Sequence, residues 1–279
     1  MSQKSYDNSP TVYLIPTPIG NMEDITLRAI NILKKVEVIF SEDTRVTGIL
    51  LKYLGIKKRL ISSHNFNEVK NDKKMLKFLM DGYDVGIVTD RGTPIISDPG
   101  YELVKVALKN NFNVVGLPGA TALIPALITS GLSPMPFYFY GFLNSKDSKR
   151  KKELENLKRF PSTMIFYESP HRLIDTLNEM LQILGNKKIS ISREISKKYE
   201  EIYRGTISDV LLELDEIKGE IVIVVEGNTE KENYDNISII DHVEKFIEDG
   251  YSSKDAIKEV AHLRGIAKNI VYQEYHRGD

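Results

Sequence analysis

Along the first half of the chain, short apolar runs recur, each stopped by a turn and followed by a segment of helical spacing. Val12–Ile15 ends in Pro16-Thr17-Pro18-Ile19-Gly20-Asn21, after which Asp24 is placed to cap a helix carrying Ile25, Ala29, Ile32, Leu33 and Val36. Val36–Phe40 reads as a buried strand; Thr44 is placed to cap a helix over Val46–Leu54 that Gly55 closes. Leu60–Ser63, Asp84–Thr89 and Asn113–Leu117 read as further strands. Helical faces stand between them at Leu76, Leu79 and Met80, and at Leu103, Val104, Ala107 and Leu108. This alternation, continuing to about residue 140, predicts an α/β domain with a largely parallel sheet. The charged stretch Lys146–Arg159 is predicted to be a helix bridging two halves of the chain. Beyond it the pattern resumes with Thr163–Tyr167, a helix from Leu173 to Leu184, a strand at Lys188–Arg193, a polar strand or hairpin arm at Ile195–Thr206, and a buried strand at Glu220–Glu226. Gly227–Asn236 reads as a linker, and Ile237–Asp279 shows only helical signals.

Three loops each follow a strand, where open α/β sheets hold ligands, and the first of them is richer than a connector requires. Asp90-Arg91-Gly92-Thr93-Pro94-Ile95-Ile96-Ser97-Asp98-Pro99-Gly100 combines glycines for close backbone approach, prolines for stiffness and two aspartates as acceptors for a ribose or an amino group. Leu117-Pro118-Gly119-Ala120-Thr121 opens a helix and carries a hydroxyl near its N-terminus. Pro16–Asn21 is the third. Taken one at a time, the second and third also fit ordinary helix starts.

Exclusions are equally informative. No loop reads Gly-x-Gly-x-x-Gly or Gly-Lys-Ser/Thr, so common dinucleotide and nucleoside triphosphate sites lack support. The chain has no cysteine, and its five histidines show no metal spacing, so no metal site is expected. With 38 Lys+Arg against 39 Asp+Glu, any nucleic-acid contact must come from local patches rather than an overall basic field. The polar stretch Met1–Pro10 and the absence of a long apolar run predict a soluble, cytoplasmic protein with no membrane contact.

Val12–Asn21, Ser41–Arg45, Asp90–Gly100, Leu117–Thr121, Phe166-Tyr167-Glu168-Ser169-Pro170-His171-Arg172 and Gly219–Val225 occur in one order. Together they resemble the tetrapyrrole-methylase (class III) methyltransferases, in particular the branch that methylates ribosomal RNA, in which Pro-Thr-Pro-Ile-Gly-Asn replaces a glycine-rich loop. The resemblance runs from about residue 11 to the C-terminus. It implies a two-domain α/β fold of the tetrapyrrole-methylase type, with domains at 11–142 and 143–228 and a small all-helical module at 237–279. It further implies a homodimer, S-adenosylmethionine as cofactor, and 2′-O-methylation of a cytidine in the decoding region of 16S rRNA in the small ribosomal subunit. Cofactor contacts are then expected at Pro18, Ile19, Asp90, Gly92, Thr93, Asp98, Gly119, Ala120, Thr121 and Tyr167. Arg91, Ala120 and Thr121 depart from the Asp-Ala-Gly-Thr-Pro and Pro-Gly-Pro-Ser-Ala wording expected of many members; Thr121 keeps a hydroxyl, and Arg91 adds a cation.

A ribose hydroxyl needs a proton acceptor as it attacks. Glu42, Asp43, Glu168 and His171 follow strands and are candidates, with Arg45 in the same cluster as the first two. The alternative is that Asp43 or Thr44 caps a helix while Arg45 pairs locally. For RNA, Lys57-Lys58-Arg59, Lys149-Arg150-Lys151-Lys152, Arg172 and Lys268 are phosphate-contact candidates, although each of the two runs by itself fits a solvated helix face better; His64 is a loop residue that could touch RNA. Lys268 opens the second of two helices joined at Gly265, a helix-turn-helix spacing. Two other readings stay open: a small-molecule methyltransferase of tetrapyrrole type, and a non-catalytic ribosome-assembly factor that binds RNA on the same fold.

Overall fold

Five short strands, all parallel, form the first sheet of the computed structural model, which describes residues 3–4, 7–63, 68–215, 218–228 and 237–277. His64 lies outside these. In chain order the elements are β1 (Thr11–Leu14), α1 (Leu27–Lys35), β2 (Val38–Ser41), α2 (Thr44–Tyr53), β3 (Arg59–Ser62), α3 (Glu68–Met80), β4 (Val85–Val88), α4 (Tyr101–Lys109), β5 (Asn113–Gly116) and α5 (Leu123–Thr129). The spatial order is β3-β2-β4-β1-β5. Both faces are covered, which is why apolar residues follow one another along the central strands rather than alternating with polar ones. Val38 and Phe40 pack with Met75, Leu79 and Leu103, whereas Ile39 between them packs with Ala29, Leu33 and Val36. The predicted helix starts shift slightly: Thr26 caps α1 in place of Asp24, and Asp43 caps α2 in place of Thr44.

A second sheet is mixed. Its elements are β6 (Phe137–Phe142), α6 (Asp147–Leu157), β7 (Thr163–Glu168), α7 (Leu173–Leu184), β8 (Lys188–Arg193), β9 (Glu201–Thr206), α8 (Ile207–Glu213) and β10 (Ile221–Val225). The order is β6-β7-β10-β8-β9, with only β6–β7 parallel. The edge strand β6 was not foreseen in the sequence: its aromatic run follows Pro136 and has no polar alternation to mark it. The charged stretch after it does form a helix, but α6 does not bridge two halves. It turns Leu154 and Leu157 into the core of this sheet, together with Leu173, Leu177 and Met180 of α7.

Both sheets fall within one compact unit, Met1–Gly227; the second unit is Asn228–Asp279. There α9 (Ile239–Glu248), α10 (Ser253–Arg264) and α11 (Lys268–His276) close a small core of Val243, Ala256, Ile257, Val260, Ala261 and Val271. Ser238 and Ser252 cap α9 and α10, and Gly265 ends α10 in the left-handed region at φ 63. Arg264 ties the bundle by donating to the Ile237 and Ser238 carbonyls and to His242 Nδ1. No helix among the described residues is long and apolar enough to cross a membrane.

Candidate active site

The parallel sheet places the loops after β4, β1 and β5 side by side, because those three strands are neighbours. Main-chain contacts then lock them. Thr17 and Gly92 exchange N–H to carbonyl bonds at 2.9 and 3.0 Å. The Thr93 hydroxyl donates to the Ala120 carbonyl at 3.0 Å, and that of Thr17 to the Thr89 carbonyl. Gly119 sits so close to Pro16 that a Cβ there would fall 2.6 Å from the proline Cβ, so glycine is needed for the approach. The three loops expected to act together are thus one structure.

They form one wall of a cleft of about 520 Å³, lined from the same loops by Ile19, Asp90, Gly92, Thr93, Asp98 and Thr121. Gly119 and Ala120 instead line an adjoining depression that shares Ile19 and Thr121 with the cleft. Pro18 is buried beneath. Carboxylates gather at the floor. Glu42 accepts from the Thr89 hydroxyl at 2.9 Å and from the Asp90 amide, both through Oε2. Asp90 accepts from the Asp43 amide at 3.0 Å. Burial pushes the Asp98 carboxyl up to about 6, and the nearby Glu42 charge adds to this. Asp90 is raised as well, again mainly by burial.

Backbone strain marks the same loop. Ile95 and Ser97 both lie in the left-handed region, at φ 77 and 67. For a β-branched residue this is a costly conformation, on the order of 1–3 kcal/mol, that persists only where the surroundings fix it. Between them Ile96 is pushed outward and stays 41% exposed.

The facing wall comes from the second sheet. Tyr167, at the end of β7, is raised by burial, against which the Thr121 hydroxyl and the Leu123 amide hold it down. Glu168 is buried, and its carboxylate is occupied: it accepts from the Ser169 amide at 2.8 Å and the Thr176 hydroxyl at 2.7 Å, with Arg172 at 3.4 Å. Asp43 caps α2 and holds the Arg45 side chain, and the Arg45 guanidinium keeps its carboxyl down at about 2. A carboxylate of that low basicity is a poor proton acceptor. His171 is exposed, its ring 3.4 Å from the Ser169 hydroxyl. Of the four candidates, Glu42 combines a place in the cleft with only one oxygen engaged.

The two walls are joined across the mouth. Arg91 pairs with Glu220, which also takes Lys197 at 3.1 Å, and Lys197 reaches Glu194 at 2.7 Å. Sequence reading did not single out Glu220 or Lys197. The glycine before Glu220, at φ 97, was the available signal for a tight turn there.

The basic candidates separate. Lys149, Lys151 and Lys152 are exposed along α6, but Arg150 is a correction: its side chain is only 3% exposed and is held by Glu179 at 2.6 and 2.8 Å. A guanidinium buried against a carboxylate is not free to meet phosphate. Arg172 donates to the Leu143 and Asn144 carbonyls and so fastens the loop after β6. Lys57, Lys58 and Arg59 enter β3 at its N-terminal end, opposite the strand ends that make the cleft, and Arg59 lies over the Phe78 ring at 5.4 Å. Lys268 is exposed at the start of α11. Among the described residues no group of three or more His, Cys, Asp or Glu is arranged for a metal.

Comparison with known proteins agrees with this architecture. The chain is 46% identical, over 99% of both chains, to a protein of Halalkalibacterium halodurans named ribosomal RNA small subunit methyltransferase I. It is 45% identical to the Bacillus subtilis protein of the same name, over 99% of this chain and 97% of that one. Among solved structures it resembles uroporphyrin-III C-methyltransferase from Thermus thermophilus complexed with S-adenyl homocysteine. The TM-score is 0.55 at 20% identity, covering 77% of this chain and 97% of the other, a likeness of fold. Residues 11–211 match the model of the tetrapyrrole (corrin/porphyrin) methylases, and with the full-length relatives this places the chain in that family.

Proposed function

We propose that this protein is an S-adenosylmethionine-dependent methyltransferase that modifies the 2′-hydroxyl of a cytidine in the decoding region of 16S rRNA, as a cytoplasmic homodimer. The observation that carries the reading is the identity of 46% and 45%, along nearly the whole chain, to two proteins named ribosomal RNA small subunit methyltransferase I. The cleft suits the cofactor by its donor set. Asp90 and Asp98 offer negative charge to a sulfonium or an ammonium, Gly92 allows close backbone approach, and Ile19 offers an apolar wall. Thr93, Thr121 and Tyr167 supply hydroxyls, with Pro18, Gly119 and Ala120 in support.

When bound, S-adenosylmethionine supplies an electrophilic methyl group. The residues of the chain position the acceptor and manage its proton. In-line transfer is governed chiefly by orientation, so the locked loops matter more than any single side chain. Glu42 is the acceptor we favour for the hydroxyl proton. Asp43 and Arg45 then shape the start of α2, and Glu168 and Arg172 hold the loop that carries His171. Lys149, Lys151 and Lys152 are phosphate contacts on the helix that follows β6; Lys57, Lys58 and Arg59, and separately Lys268 in the helical unit, are further phosphate contacts. We assign residues 11–142 and 143–228 to the two domains about the cofactor, and 237–279 to an RNA-binding module.

The test is transfer of labelled methyl from S-adenosylmethionine to small subunits that lack the modification. Label should appear in 16S rRNA at one nucleotide, whose 3′ linkage becomes resistant to alkali. Label on a base, or transfer only to a porphyrinoid, would overturn the assignment.

A further inference from the structure

At the mouth of the cleft, large apolar side chains are left in water. Phe142 is 53% exposed and Ile96 41%, and both line the cleft. They come from different walls, yet the chain brings their segments together. The pairing of β6 with β7 shifts register between Phe139 and Gly141, and Gly141 lies at φ 86. A Cβ on Gly141 would stand 3.1 Å from the Ser97 hydroxyl, so a bare backbone lets the strained loop meet the edge strand there. Phe142 is the next residue along β6, and Ile96 is the residue before Ser97. The Phe142 ring is backed edge-on by Tyr167, with centroids 5.6 Å apart, which fixes its orientation while leaving a face uncovered.

Two considerations say what covers that face. An acceptor ribose must reach into the cleft, so its base has to leave the stack of its neighbours, and an unstacked base needs a replacement surface. Charge agrees in part: Arg45, beside the cleft-lining Val46 at the start of α2, has an 88% exposed side chain that Asp43 engages through Nε and Nη2, and a neighbouring phosphate can share it. Apart from Tyr167, the groups that suit the cofactor come from strand-end loops of the first sheet, whereas Phe142 belongs to the edge strand of the second.

We propose that Ile96 and Phe142 clamp the base of the acceptor nucleotide between an aliphatic and an aromatic face. The inference rests on the rRNA reading above. Such a clamp grips a ring by its flat faces and leaves hydrogen-bonding edges unread, so it positions the nucleotide without choosing between pyrimidines.

The experiment compares wild type with Phe142→Ala, Phe142→Leu and Phe142→Trp in methyl transfer to unmodified small subunits, with calorimetry of S-adenosylmethionine binding on each. Phe142→Ala and Phe142→Leu should raise KM for the subunit by roughly tenfold or more, with cofactor affinity within about twofold of wild type. Phe142→Trp should restore most of the loss, and Ile96→Ala should show a smaller rise of the same kind. Equal performance of Phe142→Leu and wild type would overturn the clamp, because leucine keeps the apolar bulk without the ring. A parallel fall in cofactor affinity would also overturn it, by assigning the ring to the cofactor. If wild type labels no rRNA while binding S-adenosylmethionine, the rRNA reading itself fails and the clamp with it.

Discussion

The ion pair beneath the second sheet and the ion pairs at the cleft mouth use the same chemistry in opposite surroundings. Arg150 and Glu179 are 3% and 10% exposed and meet through two bonds, with Asp147 adding a third at 3.1 Å. Arg91 and Glu220 are 53% and 54% exposed, and share their charges with Lys197 and Glu194. In the first case each charge has lost its water and depends on the other; in the second, water substitutes readily for either partner. One pair fixes how α6 sits on α7. The other spans the cleft mouth, where water can take the place of either partner.

Removing one partner of the buried pair should therefore have the largest effect. Arg150→Ala leaves Glu179 buried without a counter-charge and should cost about 3–5 kcal/mol. For a unit of this size that lowers the melting temperature by roughly ten degrees in calorimetry. Replacing both residues with apolar ones of similar volume should recover most of the loss; failure to recover would mean the pair is required for the local fold rather than merely unable to lose one member.

An intermediate effect is expected at Asp98, where burial is the main influence on a carboxyl that also feels the Glu42 and Asp90 charges. Its value near 6 stands above the ordinary 3.8, so the folded protein keeps a proton that the unfolded chain has already released. That contribution to stability is fully present below about pH 4 and is lost as pH rises through 6. Binding of a cationic ligand runs the other way. S-adenosylmethionine affinity should rise with pH up to about 6 and then level, falling up to about tenfold per pH unit below that point. Calorimetric titrations of wild type and Asp98→Asn across this window decide the matter: the variant should lose the slope, and an unchanged slope would assign the proton elsewhere.

The smallest change should come from the cleft mouth. Arg91→Ala is expected to alter stability by no more than about 1 kcal/mol, and the difference should vanish at high salt. Its signature should be kinetic, a faster cofactor dissociation in stopped flow. A stability loss as large as that of Arg150→Ala would show that exposure misrepresents this pair.

The contrast also explains what could be read from the sequence. The parallel sheet and its strand-end loops were legible because apolar runs, glycines and prolines act locally and leave their pattern in adjacent residues. Arg150 was not, since its burial depends on Glu179 in another helix, and nothing in Lys149–Lys152 distinguishes the one inward position. The alternative for Asp43-Thr44-Arg45, a capped helix start with a local pair, is what the structure contains. The left-handed conformation at Ile95 was invisible for a different reason: a β-branched residue is the last that composition would suggest for it. Phe142 escaped notice because its exposure is decided by the register shift before Gly141, not by its own neighbours.

The mutual bonding of Thr17 and Gly92 runs entirely through their peptide groups. Side chains along these two loops, other than the locking hydroxyls of Thr17 and Thr93, can therefore be exchanged while the scaffold that spaces them stays in place. An engineer wishing to admit a different acceptor would leave the glycines untouched and vary the rim. Specificity in such a molecule is a replaceable lining on a fixed mount.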